Sequence, residues 1–237
     1  MDLKVVVPTS LSEITLEQYQ RFTRLEGDDY FLTLKMLEIF CNVPIDKLPN
    51  VKFKSVSPVV QRLHQMFKVK TPLKQEFVLG GKTFGFIPDL EDIPLSEYVD
   101  LDVYLGSDVD LHKMMAVLYR PITERAGKRY SIEKYEGSAK YSELMKQAPL
   151  DVVLGAKLFF WSLGSDLLLA MTSYLEKQKT TTQRSRSSEE NGDGTIPSIT
   201  SLKETLLSLR MLANWEYTNA SPFSRLIRSE QILNESN

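Results

Sequence analysis

DVVLGAKLFFWSLGSDLLLAMTSYLEK, residues 151–177, is the most apolar run of its length in the chain. At helical periodicity it has a narrow polar stripe: Asp151, Gly155, Ser162, Asp166, Ser173 and Glu176. Val152, Val153, Leu158, Phe159, Phe160, Trp161, Leu163, Leu167, Leu168, Met171, Tyr174 and Leu175 occupy most of the remaining circumference. A helix apolar on most sides belongs inside a domain, surrounded by other elements. At about 1.5 Å per residue it would be roughly 40 Å long. Gly155 and Gly164 each cost about 1 kcal/mol against Ala in a helix. Gly164 lies opposite the stripe, where close approach of another backbone would explain it.

A transmembrane reading competes. The least charged part, Leu158 to Leu175, is near the lower length limit for spanning a bilayer. Asp166 would sit near mid-membrane, at a cost of at least about 2.5 kcal/mol, and no basic cluster flanks the N-terminal side. Core helix is the expectation, with no membrane contact.

The balance of 29 Lys and Arg against 31 Asp and Glu gives no basic field to hold nucleic acid. Cys41, the single cysteine, excludes an intramolecular disulfide, and MDLKVVVPTS lacks a signal-peptide pattern. Both predict a reducing cytoplasm. With only His64 and His112, a His-rich zinc site is out of reach, while carboxylate metal sites are not.

Thr15 and Gln18 form a capping-box pattern ahead of Leu16, Tyr19, Phe22 and Leu25 at helical spacing. Asp28 or Asp29 can cap a second helix carrying Phe31, Leu34, Leu37, Phe40 and Cys41. Ser57-Pro58 predicts the start of a third. Gly80-Gly81, with apolar residues on both sides, predicts a β-hairpin over Glu76–Ile87, with Tyr130–Tyr135 as a third strand. Further helices are expected near Ser96–Tyr104, over Val109–Tyr119 with Pro121 as its stop, and over Ser138–Met145. The fold class is therefore mainly α (α+β): a helical domain around one long central apolar helix, with a small antiparallel hairpin or three-stranded sheet. That domain covers residues 1–177. Residues 178–197 contain QKTTTQRSRSSEENGDGT, which has no apolar residue to repay its ordering entropy and reads as a disordered linker. Residues 198–237 carry an amphipathic helix and tail, in which Leu202, Leu206, Leu209 and Trp215 are the candidate partner-binding residues.

From Thr83 to His112 there are eight carboxylates and no Lys or Arg. Asp100, Asp102, Asp108 and Asp110 are the residue types a hard cation takes, and a metal-dependent hydrolase using the segment 89–110 is one reading. Their spacing matches no calcium loop, so solvated surface charge is preferred. Lys113, Arg120, Arg125, Lys128 and Arg129 follow at once, placed to neutralise the acidic segment. His64 and His112 read as ordinary helical histidines and Cys41 as a buried thiol. No catalytic residue or cofactor site stands out, and Gly80-Gly81 lacks what a phosphate loop needs.

Four phrases together carry a resemblance: ITLEQYQRF (Ile14–Phe22), FGFIPDLEDIPLSEYVDLDVYL (Phe84–Leu105), LHKMMAVLYRPI (Leu111–Ile122) and GAKLFFWSLGSDLL (Gly155–Leu168). The combination resembles a family of small proteins from the structural gene cluster of tailed bacteriophages. It covers about residues 10–177 and transfers no catalytic residue. The resemblance implies a non-enzymatic protein of virion morphogenesis, a tail-assembly chaperone in the host cytoplasm that binds a tail or tape-measure protein, or else a minor structural component of the virion.

Overall fold

In the computed structural model, residues 6–50, 53–90 and 93–163 are described, with Asp166, Leu169 and Ser173. The chain divides after Leu158 into two compact units, and nearly all described elements belong to the first. The expected linker and the helix carrying Leu202, Leu206, Leu209 and Trp215 lie outside the described residues. The first unit is mainly helical with one small antiparallel sheet, the α+β class expected. No helix among the described residues is long and apolar enough to cross a membrane.

The N-terminal helices form where their caps predict. Thr15 Oγ1 accepts from Gln18 N at 3.2 Å and Gln18 Oε1 accepts from Thr15 N at 3.0 Å, opening α1 (Leu16–Thr23). Asp28 caps α2 (Asp29–Cys41) through Phe31 N at 2.7 Å, and Asn42 closes it in the left-handed conformation. The third helix, α3, spans Phe53–Lys68, so Pro58 lies inside it and not at its first position. The helix starts more than a turn before Pro58 and forgoes the one bond that proline cannot donate. Phe22, Phe40 and Phe67 join the three helices, with ring centroids 5.3 and 5.6 Å apart.

Helix starts leave N–H groups without partners inside the helix. In α1, Leu16 N donates to Ala148 O at 3.0 Å and Glu17 N to Lys146 O at 2.8 Å, while Leu150 N donates to Ile14 O at 2.9 Å. The beginning of the unit is thereby sewn to its end, with Gln147 Nε2 on Glu17 across 130 residues of sequence.

The sheet runs β1 (Glu76–Leu79), β2 (Lys82–Phe86), β3 (Tyr119–Ala126) and β4 (Arg129–Ile132), each strand antiparallel to the next. Gly80 and Gly81, at φ +55° and +75°, make the two-residue turn that requires positive φ twice. A four-stranded sheet stands where a hairpin or three strands were expected, because Tyr119–Ala126 is a strand. Pro121, expected to stop a helix, pairs with Phe84 inside β3. Ile87 N donates to Leu118 O. Bonded and non-bonded pairs alternate in an antiparallel ladder. Gly85–Arg120 is therefore a bonded pair and Phe84–Pro121 is not, so the missing N–H costs the β2–β3 ladder nothing.

One face of the sheet carries Phe77, Phe84, Phe86 and Tyr119, whose rings touch edge to face or stacked at 5.1–5.8 Å. The opposite face carries Gly85, Arg120, Ile122 and Tyr130. A Cβ on Gly85 would stand 2.5 Å from the Tyr130 ring, whose hydroxyl donates to Phe86 O at 2.9 Å.

Between β2 and β3 lie α4 (Leu95–Leu105) and α5 (Leu111–Leu118). Every residue of α5 except Lys113 is buried. After β4 come α6 (Ala139–Met145) and α7, described over 150–163. Along α7, Leu150 and residues 152–156 are buried, Asp151 and residues 157–161 half-buried, and Leu163 is 45% exposed. Gly155 lies against the backbone of Pro72 and Leu73. The close approach expected at Gly164, which is outside the described residues, is thus seen at Gly155.

Candidate interaction face

The acidic segment folds into α4, entered from Pro94 and ended at Gly106. Its outward side carries Leu95, Tyr98, Val99 and Val103, 77%, 59%, 51% and 62% exposed, with Asp102 among them. Leu95, Val99 and Val103 recur every fourth residue and therefore form one ridge along the helix. Its inward side carries Leu101 and a carboxylate, Glu97, both buried. The usual partition of a surface helix is inverted here: aliphatic groups face water and an acid faces the protein.

Glu97 is tolerated inside because Arg120 projects from β3 toward it. Glu97 Oε1 and Arg120 Nη1 are 2.8 Å apart, with the side chains only 4% and 7% exposed. The guanidinium also lies 5.4 Å from the centroid of Tyr135. The pairing is incomplete: among the described residues Glu97 Oε2 and Arg120 Nε find no hydrogen-bond partner, and Nη1 faces Oε1 without hydrogen-bond alignment. Around the pair, Tyr135 donates its hydroxyl to Asp100, and Ser138 Oγ donates to Tyr104 Oη at 3.3 Å. Burial, and then the Asp100 carboxylate, push the Tyr135 phenol well above its ordinary value. A largely polar underside thus secures a helix whose apolar side chains point outward.

The carboxylates singled out as possible metal ligands are not gathered. Asp100 meets Tyr135, Asp108 meets Lys157 at 2.5 Å, and Asp110 meets Lys113 at 2.8 Å. No three His, Cys, Asp or Glu side chains among the described residues stand close enough to hold a metal ion together. Of the basic residues after the segment, Arg120 and Lys113 do neutralise it, whereas Arg125 pairs with Glu76 on β1.

Cys41 is buried, and burial pushes its thiol up to about 11. His112 is buried beside Gln20, whose Nε2 lies 3.5 Å from Nδ1 and donates to Asp108 O and Val109 O at 2.9 and 2.8 Å. Burial lowers the His112 pKa. His64 is buried too, and burial, with the charge of Lys68, pushes its pKa down to about 4. The unfolded chain binds a proton at His64 below about pH 6.5 that the folded chain refuses until about pH 4. Stability is therefore expected to fall as pH drops through that window, by on the order of 2–3 kcal/mol in total. Urea midpoints measured from pH 7 to 4 should fall less steeply in His64→Gln than in the wild type; equal slopes would refute this.

Comparison with protein-family models, with curated proteins and with solved structures gives no match.

Proposed function

We propose that the chain is a non-enzymatic binding protein of bacteriophage virion morphogenesis. It acts in tail assembly, in the host cytoplasm, by transiently covering apolar surface on a tail or tape-measure protein. The outward ridge of α4 is the observation that carries the binding role, since contiguous exposed aliphatic groups rimmed by polar residues mark contact surfaces. The phage setting rests on the resemblance of the four phrases. The segment 198–237, with Leu202, Leu206, Leu209 and Trp215, supplies a second contact region.

The test is capture of the tagged full chain from infected cells, with mass spectrometry of both the eluate and purified particles. An assembly factor is expected to elute with a tail or tape-measure protein and to be missing from the finished particle. Wild type is expected to capture it severalfold better than Val99→Asp. Presence in the particle at fixed stoichiometry would make it a minor virion component. Capture of no phage structural protein would overturn the reading.

A further inference from the structure

Resting on that reading, we propose that the outer face of α4 receives an amphipathic helix of the partner, with a Lys or Arg opposite Asp102. The shape of the face selects the element. Leu95, Val99 and Val103 make a single ridge of about 12 Å, two turns long, and such a ridge seats in the groove between rows of side chains on another helix. A strand would need unpaired backbone groups, and those of a helix interior are already satisfied.

The charge selects the partner. Asp102 stands exposed between Tyr98 and Leu95 on the helical wheel, and no described basic side chain pairs with it. No Lys or Arg occurs anywhere from Thr83 to His112. An anionic lipid surface or a nucleic acid would meet repulsion here. A second copy laid ridge to ridge would bring both acidic segments together without a cation from either. A leucine-rich helix flanked by Lys or Arg fills the same ridge and meets Asp102 with the opposite charge.

The probe is a synthetic helical peptide of about 20 residues, with leucines at three-to-four spacing and lysines beside them. A second peptide has glutamates in place of the lysines. Titrated into full-length isotope-labelled chain, the lysine peptide is expected to shift amide resonances over 95–103. It should bind roughly threefold to tenfold more tightly than the glutamate peptide. Asp102→Lys is expected to reverse that preference, and Val99→Asp to abolish binding of both.

Shifts mapping elsewhere, no binding of either peptide, or a preference that Asp102→Lys leaves unchanged would each overturn the proposal. So would self-association that Val99→Asp removes, or a photo-cross-link from position 99 to residues 198–237 of the same chain. If the peptides fail while Val99→Asp still impairs capture of a phage structural protein, only the helical partner is lost. If both fail, the assembly reading goes with it.

Discussion

Arg120→Met is expected to destabilise the first unit by roughly 3–5 kcal/mol, because it strands the Glu97 carboxylate at a buried site. The double variant Glu97→Leu/Arg120→Met should recover most of that loss. Desolvating both ions already consumes much of their attraction, and the pair leaves Glu97 Oε2 and Arg120 Nε unbonded among the described residues. Urea unfolding followed by circular dichroism, run as a double-mutant cycle, gives both numbers. A single variant within about 1 kcal/mol of wild type would mean that α4 swings the acid out to water, and amide exchange over 95–105 would then accelerate. A double variant as unstable as the single one would show that the salt bridge contributes net stability.

Gly155→Ala is expected to cost about 2–3 kcal/mol, although the same change in an open helix stabilises by up to about 1 kcal/mol. A Cβ at this position would stand 2.4 Å from Pro72 O and 3.0 Å from its carbonyl carbon. Both obstacles are backbone, in a stretch already fixed by Tyr119 Oη on Lys74 O at 2.7 Å and by Lys74 Nζ on Asp151 at 2.5 Å. Neither side can yield by rotating a side chain. Gly106→Ala is the control: it has open space and an ordinary φ of −81°, and little change is expected. Equal urea midpoints for the two variants would remove the packing account of Gly155.

Much of this was readable from local chemistry. Thr15–Gln18, Asp28 and Gly80-Gly81 announce themselves because each solves a backbone problem within four residues. The inverted helix was half legible. Leu95, Val99 and Val103 do recur at helical spacing, but the run of carboxylates around them reads as solvated surface, and only the position of Arg120 shows which side faces inward. Strand β3, with Pro121 inside it, was hidden because proline's ability to join a ladder depends on which side of the strand its nitrogen faces, a property of pairing and not of composition. Residues 151–177 drew attention by sheer length. Among the described elements, however, the helix enclosed on nearly every side is α5, eight residues whose shortness and neighbouring strand blunt the periodic signal. Gly155 could not be told from Gly164 as the site of close approach, since the obstacle comes from Pro72, far away in sequence.

The stitching of Ile14–Glu17 to 146–150 has a consequence for biogenesis. A ribosome delivers Glu17 on the order of ten seconds before its partner Gln147. Throughout that interval the first helix has neither the carbonyls of Lys146 and Ala148 to receive its leading N–H groups nor the close of the unit to shelter Leu16. The nascent polypeptide is therefore committed to post-emergence closure, and its early aliphatic residues are the ones most open to nascent-chain-binding factors while translation proceeds.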